Sequence, residues 1–219
     1  MDAAKRIGDA LSEALAFVLP VACAGCGEGG SAICGACRAA LAPAVTVAPA
    51  GGLVVHAALA YEGRAADVLR AFKGEGRTDL ARPLGAALRA ALVSAAAGAD
   101  PPLSAVPVPS RRDSRRRRGY AVVETLLRAA GADPVPALRW SRRVDDQRGL
   151  GREDRARNVR AALDARGIRR GERVVIVDDV ATTGATLLEA ERALAAAGAQ
   201  VVAAAVLART PLHAVVNAQ

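Results

Sequence analysis

The stretch VVIVDDVATTGATL, residues 174–187, runs from an apolar segment through two adjacent carboxylates into a Thr/Gly-rich turn. Val174 to Val177 are uninterruptedly apolar, the pattern of a strand covered on both faces. An unpaired carboxylate is costly to bury, so Asp178 and Asp179 must stand where the strand leaves the core, or against a ligand. In an open α/β sheet that exit is also where ligands bind, outside the carboxyl ends of the strands. The next residues turn into a helix. Its first backbone N–H groups lack internal acceptors, and its dipole places about half a positive charge there. Thr182, Thr183 and Thr186 add hydroxyl donors and Gly184 permits close approach, which together make a phosphate cradle. The carboxylates would repel the phosphate itself but suit neighbouring hydroxyls, or a metal ion carried with the ligand. A phosphate beside a diol is the outline of a ribose 5-phosphate. Helix capping is the plainer alternative for an aspartate, but one would suffice for it.

Working outward, LVVHAALAY (53–61), LSAVPVP (103–109), PVPALRW (134–140), GERVVIVDD (171–179) and VVAAAVLAR (201–209) read as strands. Residues 62–76, 78–97, 119–130 and 184–197 read as the helices between them, with Pro83 in the first turns of the second. Residues 4–19 have helical periodicity and stop at Pro20. LAPAVTVAPAGG (41–52) reads as a linker, and 141–160 as a polar, arginine-rich stretch. Strands alternating with helices predict an α/β fold with a parallel, doubly wound sheet. No internal repeat is present, and neither a complete dinucleotide fingerprint nor a P-loop occurs.

The 219 residues, 52% hydrophobic, suffice for one full-sized core with a small appendage. A net charge of +8 favours an anionic partner, with an arginine-rich solvated surface as the alternative. No apolar run is long enough for a membrane span. LSEALAFVLPVAC (11–23) is interrupted by Glu13 and Pro20, so it is a poor export signal and a cytoplasmic protein without membrane insertion is expected. His56 and His213 both lie beside apolar strand residues and read as structural.

All four cysteines fall within CAGCGEGGSAICGAC: Cys23, Cys26, Cys34 and Cys37. Two C-x-x-C pairs with glycines at the turns predict a closed four-thiolate Zn²⁺ site, a small N-terminal zinc ribbon or knuckle of structural role. Two disulfides would be unexpected in a reducing compartment. The segment is too short for an apolar core of its own, so metal binding should supply its folding energy. The expected division is residues 1–42 for the helix and cysteine segment, and 52–219 for the α/β domain.

The stretch 174–187 looks like the phosphoribosyl pyrophosphate (PRPP) motif of type I phosphoribosyltransferases. The whole chain resembles the ComF/ComFC family, linked to bacterial DNA uptake. The likeness rests on the cysteine knuckle, YEGRAADVLRAFKGEG, VPVPSRRDSRRRRGY, QRGLGREDRARNVRAAL, the PRPP motif, and AGAQVVAAAVLAR. It implies a type I phosphoribosyltransferase-like sheet flanked by helices. Asp178 and Asp179 would contact the ribose hydroxyls as the catalytic pair, and Ala181, Thr182, Thr183, Gly184, Ala185 and Thr186 would bind the 5-phosphate. Ser110 and Arg111 would take the place of the pyrophosphate loop, with Mg²⁺ bound alongside the pyrophosphate. Gln147 and Asn158 match the family pattern. The chain departs from it at Ala121 and Val122, where the family commonly has Asn-Gln.

The predicted chemistry is phosphoribosyl transfer to an acceptor the sequence does not name. Catalysis would come from positioning the ribose and neutralising the leaving pyrophosphate. Six arginines fall within residues 111–118. Of these, Arg115, Arg116, Arg117 and Arg118 could belong to a lid over the polyphosphate or contact DNA phosphates. Two other readings use the same features. One is a non-catalytic accessory protein for DNA uptake that binds single strands, with Tyr120 and Trp140 as its only stacking platforms. The other is a regulator that senses PRPP without turning it over.

Overall fold

In the computed structural model, which describes residues 21–111, 114, 116, 118–141 and 161–211, the quoted apolar run lies on an interior strand, next to one edge, of a five-stranded sheet. In chain order, the strands are β1 (Thr46–Ala50), β2 (Leu53–Ala60), β3 (Ser104–Pro107), β4 (Leu138–Trp140), β5 (Leu163–Ala165), β6 (Arg173–Ala181) and β7 (Gln200–Arg209). The α-helices are α1 (Gly35–Ala39), α2 (Gly63–Gly74), α3 (Ala81–Ala96), α4 (Val122–Ala129) and α5 (Ala185–Ala196). The sheet order is β1-β2-β7-β6-β3; β1 is antiparallel to β2 and the other pairs are parallel.

Alternation along β6 sorts its side chains onto two faces, as the pleat requires. Val175 and Val177 pack with Ala203, Leu207, and the α2, α3 and α4 residues Phe72, Leu84, Leu88 and Leu126. Val174 and Ile176 pack with Val55, Val106, Val206, and the α5 residues Leu187 and Leu194. On α3, Leu84, Leu88, Ala91 and Ala95 form one buried stripe at helical spacing. Burying each leucine contributes about 1.5–3 kcal/mol.

The chain passes from β3 to α4 on one face, whereas the neighbouring β6 leads to α5 on the other. Adjacent strands that send their connections to opposite faces open a crevice at their carboxyl ends. Asp178, Asp179 and the loop after β3 therefore share one edge of the molecule.

The expected α/β fold is present, with three differences in detail. The stretch read as a linker contains β1. Val45 and Val47 are exposed and Pro49 sits within the strand, so neither alternation nor propensity marks it. An edge strand tolerates a proline. Next, β4 does not join the main sheet. It pairs with β5, unanticipated from sequence, in a two-stranded sheet of its own, and only Pro134 bridges to Ala105 of β3. Finally, residues 78–80 form a 3₁₀ turn before α3, and α4 begins at Val122 rather than near 119. The expected helix at 4–19, most of the 141–160 stretch with Gln147 and Asn158, and His213 lie outside the described residues.

The departure at residues 121 and 122 has a structural meaning. Ala121 is the N-cap of α4, with extended backbone and no side-chain acceptor for the first amides, while Val122 is core. Ala121→Asn is therefore expected to stabilise the protein by about 1 kcal/mol, by capping α4. Urea denaturation checks this, and an unchanged midpoint would contradict it.

Candidate active site

Strand β6 runs four residues beyond its apolar core, so the doublet lies within it near its carboxyl end. Both aspartates are half-buried. Asp178 Oδ1 accepts the amide of Asp179 at 2.8 Å, which orients it along the strand. Asp179 Oδ2 lies 2.9 Å from Lys73 Nζ, brought in by the last turn of α2. Desolvation, with the adjacent charge of Asp179, pushes Asp178 up to about 8 from an ordinary 3.8, against the opposing pull of the Asp179 amide and Lys73. Burial alone would lower Lys73; the charge and hydrogen bond of Asp179, with Asp178 behind them, raise it above its ordinary value.

Beyond the doublet the chain turns into α5. Gly184 is the N-cap at φ 78°, the left-handed region. A Cβ there would stand 2.8 Å from the Cβ of Ala50, so both backbone and space demand glycine. Ala185 N reaches Thr183 Oγ1 at 3.4 Å. Among the described residues, the amides of Thr182, Thr183, Gly184 and Thr186 meet no protein acceptor. They are donors left open at the positive end of a twelve-residue helix. Thr182 is exposed, and Thr183 and Thr186 are half-buried. Ala181 is instead a wall: its side chain is core and its carbonyl accepts Thr210 N at 3.0 Å. Strand β1 closes the back of the cradle through Ala50, and Arg209 braces it by donating to the carbonyls of Ala48 and Pro49 at 3.3 and 3.2 Å.

The loop carrying Ser110 and Arg111 leaves β3 beside the doublet's strand, with Val108 N donating to Val177 O at 2.8 Å. The Arg111 guanidinium lies over the Trp140 ring, 5.7 Å from its centroid, and Trp140 Nε1 donates to Pro109 O at 2.8 Å. Ser110 lines a cavity of about 500 Å³ with Glu124, Leu138, Trp140 and Asp164. Arg116 is exposed and Arg118 half-buried; Arg115 and Arg117 lie outside the described residues. Tyr120 is not an open stacking platform. Its ring packs on Phe72 at 5.4 Å between centroids, and its hydroxyl donates to the Phe72 carbonyl. His56 is structural, with Nδ1 2.8 Å from Ser94 Oγ on α3.

Lys73, Ala50 and Arg209 were not anticipated. Lys73 is the one with a signal in the sequence: it is one of only two lysines among thirty basic residues. The stretch containing Ala50 was masked by its prolines.

The four cysteine sulfurs lie within 4.8 Å of one another, and Cys26 Sγ is 3.7 Å from Cys34 Sγ. A tetrahedral Zn²⁺ with bonds near 2.3 Å demands sulfur separations of about 3.8 Å, so the donor set fits. Backbone amides already point at the sulfurs: Cys34 N at Cys23 Sγ (3.3 Å) and Cys37 N at Cys34 Sγ (3.5 Å). Gly25 is required by close approach, since a Cβ there would lie 2.6 Å from Cys37 Sγ. The Cys34 amide lowers Cys23 to about 6. At Cys26 the Glu28 amide acts downward, but burial and the neighbouring thiols prevail and raise it to about 12. Crowded thiols cannot all ionise without a central cation. Cys23, Ile33, Cys37 and Leu41 also join the core formed by Val68, Leu69 and Phe72 of α2.

Residues 117–215 match the family model described as "Phosphoribosyl transferase domain". No curated protein matches the chain. Among solved structures, one adenine phosphoribosyltransferase is 18% identical, with 79% of this chain and 89% of that one covered and a TM-score of 0.40. The adenine phosphoribosyltransferase of Rhodothermus marinus is 21% identical, with 81% and 94% covered and a TM-score of 0.39. That of Saccharomyces cerevisiae, complexed with D-2,5-dideoxy-2,5-imino-altritol 1,6-bisphosphate and adenine, is 16% identical, with 80% and 89% covered and a TM-score of 0.38. The parallel sheet flanked by helices is of the phosphoribosyltransferase type. No helix of the described residues is long and apolar enough to cross a membrane.

Two outcomes follow from this geometry. Because folding raises Asp178, the group costs nothing below its ordinary 3.8 and costs more as pH climbs to about 8. Asp178→Asn removes that cost. Its gain in unfolding free energy over the parent should be near zero at about pH 4, grow up to about pH 8, and level off above it. Urea denaturation across a pH series reads this, and a pH-independent difference would refute it. For the cysteine cluster, metal analysis should find one zinc per chain. Chelation should lower Tm by about 5 °C or more, reversed by added Zn²⁺.

Proposed function

We propose that this protein binds PRPP with Mg²⁺ and transfers its phosphoribosyl group to an acceptor. The observation that carries the reading is the pairing, at one strand end, of an amide nest opened by Gly184 with a carboxylate doublet held by Lys73. The amides of residues 182–186 suit a 5-phosphate. Asp178 and Asp179 suit the ribose hydroxyls, Asp178 with a carboxyl raised by desolvation and Asp179 paired with Lys73. The match of residues 117–215 to the phosphoribosyl transferase domain model supports the same assignment.

In the transfer, the bond from the anomeric carbon to pyrophosphate breaks and a bond to the acceptor's nucleophilic atom forms. Positive charge builds on the ribose ring as this happens. In this reading Asp179 would favour that charge, and Asp178 would fix the ring by hydrogen bonding. Mg²⁺ would neutralise the departing pyrophosphate. Ser110 and Arg111 are its suggested protein partners, since a guanidinium fork bonds multi-oxygen anions in bidentate fashion. In this reading Zn²⁺ on Cys23, Cys26, Cys34 and Cys37 is structural. The likeness of the whole chain to ComF/ComFC proteins supports a role linked to DNA uptake.

Calorimetry should detect Mg²⁺-dependent PRPP binding by the parent protein. In Asp178→Asn/Asp179→Asn the affinity should fall by about 100-fold or more, from loss of one charge-assisted and one neutral hydrogen-bonded contact. A parent without PRPP affinity would sink the proposal. Pyrophosphate release on adding a panel of acceptors would establish turnover, and its absence despite tight binding would favour a sensor.

A further inference from the structure

Helix α2 joins two parts of the molecule that the sequence alone does not connect. At its first turn, Arg64 Nη1 donates to Cys37 Sγ at 3.2 Å. At its last turn, Lys73 meets Asp179. Nine helical steps separate them, about 13.5 Å. Tyr120 holds the same last turn through the ring and carbonyl of Phe72. Arg118 supplies a further positive charge nearby. Lys73 is thus delivered by an element fixed at both ends, not by a free side chain on the surface.

We infer that Lys73 is a positioning residue of the site: its ammonium fixes the Asp179 carboxylate and offsets the doublet's charge, so that the hydroxyls of a sugar phosphate can dock beside the amide nest. The inference rests on the reading proposed above and adds the group that makes an acidic pair compatible with an anionic ligand. Two adjacent carboxylates beside a phosphate would oppose its binding. Desolvation pushes the Asp178 carboxyl up to about 8, and the carboxylate that Lys73 meets at 2.9 Å is that of Asp179. One ammonium matches it. The ion pair is also screened from water, with side-chain exposures of 29% for Lys73 and 15% for Asp179. It is therefore worth more than an exposed surface pair.

A tether between α2 and the sheet would have the same geometry but no effect on ligand discrimination. The two are separated by titrating the full-length protein, at one pH and ionic strength, with ribose 5-phosphate and with inorganic phosphate. The amide nest alone serves phosphate, whereas the sugar needs the doublet. The parent should prefer ribose 5-phosphate. Lys73→Met should reduce that preference about tenfold or more, and Lys73→Arg, which keeps the charge, should restore part of it. An unchanged preference in Lys73→Met overturns the inference while leaving the proposed function standing. A parent that binds neither compound also overturns the inference, whereas the proposed function is decided by PRPP binding itself. If Lys73→Met proves too unstable, Asp179→Asn and Lys73→Met/Asp179→Asn carry the test, since neither leaves an unpaired carboxylate at 179. Equal preferences in those two support the inference, and a further loss in the double variant refutes it.

Discussion

Two neighbouring carboxylates at the end of a strand buried on both faces are tolerable only if something answers their charge. Here the answer has two parts, an Asp178 carboxyl pushed up to about 8, which favours its protonated form, and the Lys73 ammonium on Asp179. The rest of the site depends on that arrangement. With the doublet neutralised from the helix side, the amides opening α5 can face an anion without an opposing field beside them. Without it, the same strand end would repel what the helix end attracts.

Four elements converge to hold this balance. Strand β6 carries the doublet, and α5 carries the donors. Strand β1 backs Gly184 so closely that no side chain fits between them. Helix α2 supplies the counter-charge. On the opposite side, the loop after β3 is pinned by the Trp140 indole on the Pro109 carbonyl. A clamp on α5 ties the β4–β5 sheet to the same scaffold. Glu189, buried, accepts Leu163 N at 3.0 Å and pairs with Arg192, which in turn donates to the Leu163 carbonyl at 2.9 Å. Few of these contacts are large in isolation. Their joint effect is to leave the doublet and the nest one geometry.

The cysteine segment belongs to this scaffold. It has too few apolar residues for its own core and shares one with α2, through Ile33, Leu41 and the two buried cysteines. Arg64 on Cys37 extends that sharing to charge, since a guanidinium beside a sulfur favours the thiolate a metal requires. The helix that completes the site is thus seated on the four-cysteine segment.

How much of this was legible in the sequence differs by element. Long strands and helices with strong periodicity, β2, α2, β6, α5 and β7, were readable because burial on one or two faces writes itself into hydrophobic spacing. The cysteine cluster and the turn after β6 were readable because closely spaced thiol pairs and a Gly/Thr turn after a buried strand are distinctive local patterns. Strand β1 was not, because an exposed edge strand containing proline carries no alternation. Strand β5, three residues long, carries too little pattern of any kind. Local sequence therefore determined the α/β class, the standing of the acidic doublet near the carboxyl end of a strand, and the four cysteines that gather in one cluster. Only the tertiary structure decided that Asp179 is paired and that Ala50 walls the cradle. It also decided that Tyr120 is spent on Phe72 and that β4 leaves the main sheet. Those outcomes rest on contacts between residues tens of positions apart, and no periodicity within one segment encodes its distant neighbour.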